Sequence, residues 1–138
     1  MKLLVYEVLN KASEAKTKKE KVEILKKNNS GALQDVLRGT YDKSIVWLLP
    51  DGEPSYEVNK EGSIPSNLLK KCTMFAYFVQ GGKGPDMHPI RRERLFIELL
   101  SQIHPEDAKV CIAMINKKPI KGVTKTVVKE AFPNLLQQ

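Results

Sequence analysis

Long apolar runs, cysteine and histidine are all scarce in this chain of 138 residues. No stretch approaches the roughly 20 apolar residues needed to cross a bilayer, so no membrane-spanning helix is expected. Met1–Lys2–Leu3–Leu4–Val5–Tyr6 opens like a signal segment, but Glu7, Asn10 and Lys11 interrupt it too early for a secretory core. The two cysteines, Cys72 and Cys111, sit apart on apolar helical patterns, and the two histidines, His88 and His104, each precede a proline. That set has no metal-ligand spacing and no activated thiol. It points to a reduced, cytoplasmic protein without metal or cofactor. Acidic residues are also in the minority: 16 Asp and Glu face 23 Lys and Arg, a net charge of +7. Such an excess attracts phosphate backbones or acidic surfaces. With 41% hydrophobic residues there is enough apolar material for a core, which excludes disorder as the default state.

The apolar residues recur at helical spacing. Leu4, Val5, Val8, Leu9 and Ala12 share one face, opposite Glu7, Asn10, Lys11 and Glu14. Thr17 with Glu20 forms a capping-box start, and Ser30 can cap a third helix that carries Leu33, Val36, Leu37 and Tyr41. Ile45–Leu49 is too short to assign as helix or extended chain. Pro50, Gly52, Pro54, Gly62 and Pro65 predict a loop at about 50–66. From Ser66, the residues Leu68, Leu69, Cys72, Phe75, Ala76 and Val79 predict a central apolar helix, stopped by Gly81–Pro85. Pro89 and Pro105 suit first turns of two more helices, with Glu106 and Asp107 at the positive end of the second. Thr124 can start a last helix running through Phe132. The expected fold is all-α: a single domain over residues 1–138, with six or seven helices around one core.

Enzyme signatures are missing from this order. Gly81–Gly82–Lys83–Gly84 lacks the Ser or Thr that a Walker lysine needs after it. The histidines are explained as caps or turn residues. No catalytic activity is expected.

Basic clusters are the positive signal. Lys117, Lys118, Lys121, Lys125 and Lys129 occupy residues 117–129 with no acid among them, around Gly122, Val123 and Thr124. Lysines and free amides beside a helix start form a surface that can follow phosphates without reading bases. A second cluster joins Gly82, Lys83 and Gly84 to Arg91, Arg92 and Arg94, pairing a glycine turn with bidentate donors. Arg38 and Lys43, with Thr40, Tyr41 and Ser44, suggest a third. Solvated lysine faces and plain interhelical turns are the competing reading of each.

The order of motifs resembles the N-terminal DNA-binding domain of phage-type ATP-dependent DNA ligases. The matching segments are Lys2–Ala12, Lys19–Asn28, Leu37–Arg38–Gly39–Thr40–Tyr41–Asp42, and the closing element Lys121–Gly122–Val123–Thr124 through Val128 to Ala131–Phe132–Pro133–Asn134–Leu135. The resemblance spans nearly the whole chain, and the aromatic–Pro pair after a glycine-started helix is its most specific part. It implies an all-helical module that holds duplex DNA. In it, Lys121, Gly122, Val123, Thr124 and Lys125 would serve as the minor-groove and backbone element, and Gly82, Lys83 and Gly84 as a second phosphate clamp. Two positions depart from the family: Lys121 stands where ligases typically have Cys, and Phe132 replaces Trp. The Lys-x-Asp-Gly adenylation motif is lacking, since Leu49 precedes Asp51–Gly52 where that lysine would be.

The expectation is therefore a stand-alone, non-catalytic, phage-encoded protein. It would bind double-stranded DNA, nicked duplex included, with the segments 81–94 and 117–129 meeting on one face. The alternative is an adaptor for a replication, transcription or host protein, suggested by the loop around Tyr56 and the apolar first helix. Neither reading involves a membrane.

Overall fold

Each helix begins where a side chain can accept an orphan amide, and ends where the backbone can leave the helix. In the computed structural model, which describes residues 3–49, 52, 54, 56, 72–82 and 87–136, six α-helices result. They are α1 (Val5–Glu14), α2 (Lys18–Lys27), α3 (Gly31–Tyr41), α4 (Pro89–Gln102), α5 (Pro105–Ile115) and α6 (Lys125–Ala131). The fold is all-α.

Thr17, Ser30 and Thr124 cap α2, α3 and α6, accepting from Glu20, Leu33 and Val127 respectively. The Glu20 carboxylate accepts from Lys16 at 3.3 Å, one residue before the cap, so the box is displaced by one position. His88 and His104 cap α4 and α5 through Nδ1, which accepts from Ile90 at 3.1 Å and from Glu106 at 3.0 Å. A proline follows each, placing a residue without an N–H where none is needed.

The core is assembled around α5, which packs against α1, α3 and α4, while α2 lies across α1 and α6. Val5, Val8, Leu9 and Ala12 of α1 are buried, as are Leu33, Val36 and Leu37 of α3, and Ala108, Cys111 and Met114 of α5. Burial pushes the Cys111 thiol pKa far up, so it packs as a small hydrophobe. Each large side chain removed from water contributes about 1.5–3 kcal/mol.

The segment expected to be the central helix differs. Residues 66–71, with Leu68 and Leu69, lie outside the described residues, and Cys72–Tyr77 is a 3-10 helix packed on α3. Beyond it the chain is extended: Leu48 donates to the Phe78 carbonyl at 2.7 Å and Gln80 to the Val46 carbonyl at 2.8 Å. This antiparallel bridge between Trp47 and Val79 also settles Ile45–Leu49 as extended. Pairing with it satisfies backbone groups that a longer helix would have satisfied internally.

Gly39 is required beneath this bridge. A Cβ there would lie 2.5 Å from Cζ2 of Trp47 and 2.8 Å from Met114. The Trp47 indole instead rests on α3 and donates to the Gly39 carbonyl at 2.9 Å. Phe78, fully buried, meets Phe96 of α4 edge-on at 5.4 Å. Most of the loop expected at 50–66 lies outside the described residues. Its described part is tied down: Gly52 exchanges two hydrogen bonds with the Asn116 side chain, at 2.7 and 3.0 Å.

Candidate nucleic-acid interface

The turn between α5 and α6 is built by closing the Ile112, Ala113 and Met114 carbonyls that the end of α5 exposes. Lys117 donates its amide to Met114 and Lys118 to Ala113, both at 3.0 Å, the two bonds of a Schellman motif. The motif needs a left-handed residue, and Lys117 supplies it with φ +55° in the place where glycine is usual. Its Nζ reaches back to the Asp42 carbonyl at 2.8 Å. Burial lowers the Lys117 pKa, with Asp42 acting against the shift. Lys117, expected as a phosphate contact, is therefore engaged inside the protein.

Residues 120–123 are clamped from three helices. The Tyr41 hydroxyl, at the end of α3, accepts the Ile120 amide at 2.8 Å and donates to the Val123 carbonyl. Lys21 of α2 donates to the Gly122 carbonyl at 2.6 Å. Gly122 has φ +76°, and a Cβ on it would stand 2.7 Å from the Cα of Ser13 in α1. The close approach that this glycine permits is thus to α1, where a sugar–phosphate backbone was expected. Val123 is fully buried and contributes no surface.

Lys118, Lys121 and Thr124 remain on the outside of the turn, with Lys125 half-buried. The ion pairs among the described residues are Lys18–Glu130 at 2.8 Å and Lys109–Glu106 at 3.3 Å. Lys118, Lys121 and Lys125 take part in neither. Thr124 accepts the Val127 amide at 3.4 Å at the head of a helix only two turns long.

A cleft of about 320 Å³ opens beside this turn, between α1 and α5. Its apolar walls include Leu9, Val110, Ala113 and Ile120, its polar groups Asn10 and Ser13, and its lysines Lys109, Lys118 and Lys121. Tyr6 also lines it, with its ring stacked on His104 at a centroid distance of 4.6 Å. Sequence order could not group Tyr6, Asn10, Ser13 and Lys109 with Lys118 and Lys121. They meet only because α1 packs on α5.

The second basic cluster is divided by the fold. Arg92 is 6% exposed; its Nε donates to the Tyr77 carbonyl and its Nη2 to the Met87 carbonyl, both at 3.2 Å. A buried guanidinium holding two backbone carbonyls is a structural tie between the 3-10 segment and α4, which corrects its expected phosphate role. Gly82 also serves packing, because a Cβ there would fall 2.0 Å from the Ala76 carbonyl oxygen. Arg91 and Arg94 are exposed on α4; Lys83 and Gly84 lie outside the described residues.

The two basic turns rest on different supports, 117–125 on α1, α2 and α3, and 81–82 on the 3-10 segment. In the third cluster, Thr40 is buried and donates to the Val36 carbonyl at 2.9 Å. Tyr41 holds the 120–123 turn, and Ser44 bonds to Asp42 at 2.7 Å. These polar groups are spent within the protein.

A protein-family model, described as "Family of unknown function (DUF6433)", matches residues 8–121. The chain belongs to that family. No curated protein matches it. The matched segment takes in α2 to α5 with Lys109, Lys118 and Lys121, so the cleft lies largely within the part that defines the family.

Proposed function

We propose that this DUF6433 chain is a non-catalytic, sequence-tolerant duplex DNA-binding protein that sets the 118–125 turn against phosphates beside a minor groove. The observation that carries the reading is the placement of Lys118 and Lys121, exposed and outside the ion pairs, on a turn clamped by three helices. The clamp fixes the backbone that carries these lysines, so on meeting an anion the side chains alone lose freedom. Lysine–phosphate contacts position a protein without selecting sequence. The +7 charge and the ligase-like order of motifs support the same reading; the proposal includes a place in the cytoplasm of a phage-infected cell.

Anisotropy titrations of intact and nicked duplexes at about 50 and 200 mM salt test it. Affinity is expected to fall steeply with salt. Lys121→Glu combined with Lys125→Glu should weaken both duplexes while leaving helix content intact. No binding at the lower salt overturns the proposal.

The adaptor reading rests on a different observation. Val46 and Leu48, on the extended segment, remain 45% and 36% exposed, and Ile90 at the head of α4 is 56% exposed. Tyr56 and the first helix support it less, because Tyr56 packs on the core and the apolar face of α1 is buried. A pull-down that survives nuclease and is lost on Leu48→Ser would favour it.

A further inference from the structure

We infer that the cleft between α1 and α5 is a binding site for one nucleotide-sized phosphomonoester, a pocket that shares Lys118 and Lys121 with the proposed duplex surface, is narrower than a duplex needs, and takes its ligand class from the DNA-binding reading. Its volume, about 320 Å³, lies at the small end of ligand pockets, which run from about 300 to 1,000 Å³. A double helix cannot enter such a space; one nucleotide unit can.

The charge of the lining selects the head group. Lys109, Lys118 and Lys121 face a single carboxylate, Glu106, and Lys109 is paired with it at 3.3 Å. Lys118 and Lys121 are left for an incoming anion. A phosphomonoester carries about −1.5 to −2 at neutral pH, which two ammonium groups match and a monocarboxylate would only half satisfy.

The rest of the lining selects what the phosphate is attached to. Ala113 and its apolar neighbours give a surface for a flat ring, and Tyr6 adds an aromatic wall. The stack on His104 at 4.6 Å holds that ring in place, as a platform for a base requires. Asn10 supplies a donor and an acceptor for the edge of a base. The ligand is a free nucleoside monophosphate or the terminal nucleotide of a strand, which share this chemistry.

Calorimetric titration of the full chain with deoxyadenosine monophosphate, deoxyadenosine and inorganic phosphate tests the site. The monophosphate should bind at least tenfold more tightly than either fragment. Lys118→Ala with Lys121→Ala, both exposed positions, should weaken it at least tenfold. Ala113→Leu, which fills the apolar floor, should abolish monophosphate binding and leave intact-duplex affinity within twofold, with circular dichroism confirming the fold.

Two short single strands, one 5′-phosphorylated and one with a 5′-hydroxyl, separate the sources. A gain for the phosphorylated strand assigns a terminal nucleotide; binding of the free monophosphate alone assigns a small-molecule ligand. Equal binding of monophosphate and nucleoside, or an unchanged affinity in folded Ala113→Leu, overturns the inference. Duplex binding without monophosphate binding removes this site alone. Monophosphate binding without duplex binding removes the duplex reading and leaves the pocket.

Discussion

Asp107, in the first turn of α5, accepts the backbone amide of Tyr6 at 2.9 Å and so caps α1 from 101 residues away along the chain. The residue that precedes α1 is Leu4, whose side chain has no acceptor, and Glu7 covers only the Leu4 amide, at 2.9 Å. The cap therefore comes from a neighbouring helix and fixes α1 to α5 at the cleft.

Asp107→Ala should cost about 1–3 kcal/mol, the range for losing a cap and leaving a partly buried amide unpaired. Asp107→Asn keeps an acceptor and should cost less. The Asp107 carboxyl pKa is raised, chiefly by burial, and Oδ2 is buried with no hydrogen-bond partner. The folded state thus disfavours the charge. The group's contribution is full below its ordinary value of 3.8 and is lost as pH rises through the higher folded value. Wild type should gain stability over Asp107→Asn as pH is lowered from 7 into that window. Urea melts at several pH values measure the difference, and parallel profiles would refute it.

Gly122→Ala should destabilise by about 2–5 kcal/mol. A left-handed alanine costs about 1–2 kcal/mol, and forcing a methyl into a filled space about 1–3 kcal/mol. The obstacle is the Ser13 backbone, with its Cα at 2.7 Å, so Ser13→Gly should rescue the double variant only in part. Thermal melts of the two single variants and the double variant give the answer.

Tyr41→Phe removes one hydroxyl that serves two backbone groups, the Ile120 amide and the Val123 carbonyl. A loss of about 1–3 kcal/mol is expected. Hydrogen exchange should rise at the Ile120 amide while amides in the middle of α5 stay protected. Unchanged exchange at Ile120 would show that the turn holds its shape without the tyrosine.

The helices were legible because their signals are local. Thr17, Ser30, Pro89, Pro105 and Thr124 act within one turn of their own helix, and all five stand where their spacing placed them. The 3-10 segment was misread because an apolar run such as Phe75 to Val79 fits either a helix or a buried extended chain. Pairing of Trp47 with Val79 decided between them.

The basic clusters were legible as composition but not as surface. Nothing near Arg92 in sequence shows that Tyr77 and Met87 will offer it carbonyls, and nothing near Lys117 shows that Asp42 will. Gly82 and Gly122 signalled close approach correctly, but their neighbours proved to be Ala76 and Ser13.

Those placements separate the lysines of one turn into different roles. Lys117→Ala should leave duplex affinity within about twofold, since its ammonium is already bonded to the Asp42 carbonyl at 2.8 Å. Its effect should fall on stability. At φ +55° a glycine is free of the penalty of about 1–2 kcal/mol that alanine meets, so Lys117→Gly should be more stable than Lys117→Ala by about that amount. Lys118→Ala and Lys121→Ala should do the reverse, with melting unchanged and duplex binding weakened similarly on any sequence. Each should lower the slope of log affinity against log salt by about 1. Salt titrations of the three alanine variants beside their melts check both halves. A Lys117 variant that loses affinity as Lys121 does would place that ammonium at the phosphates after all.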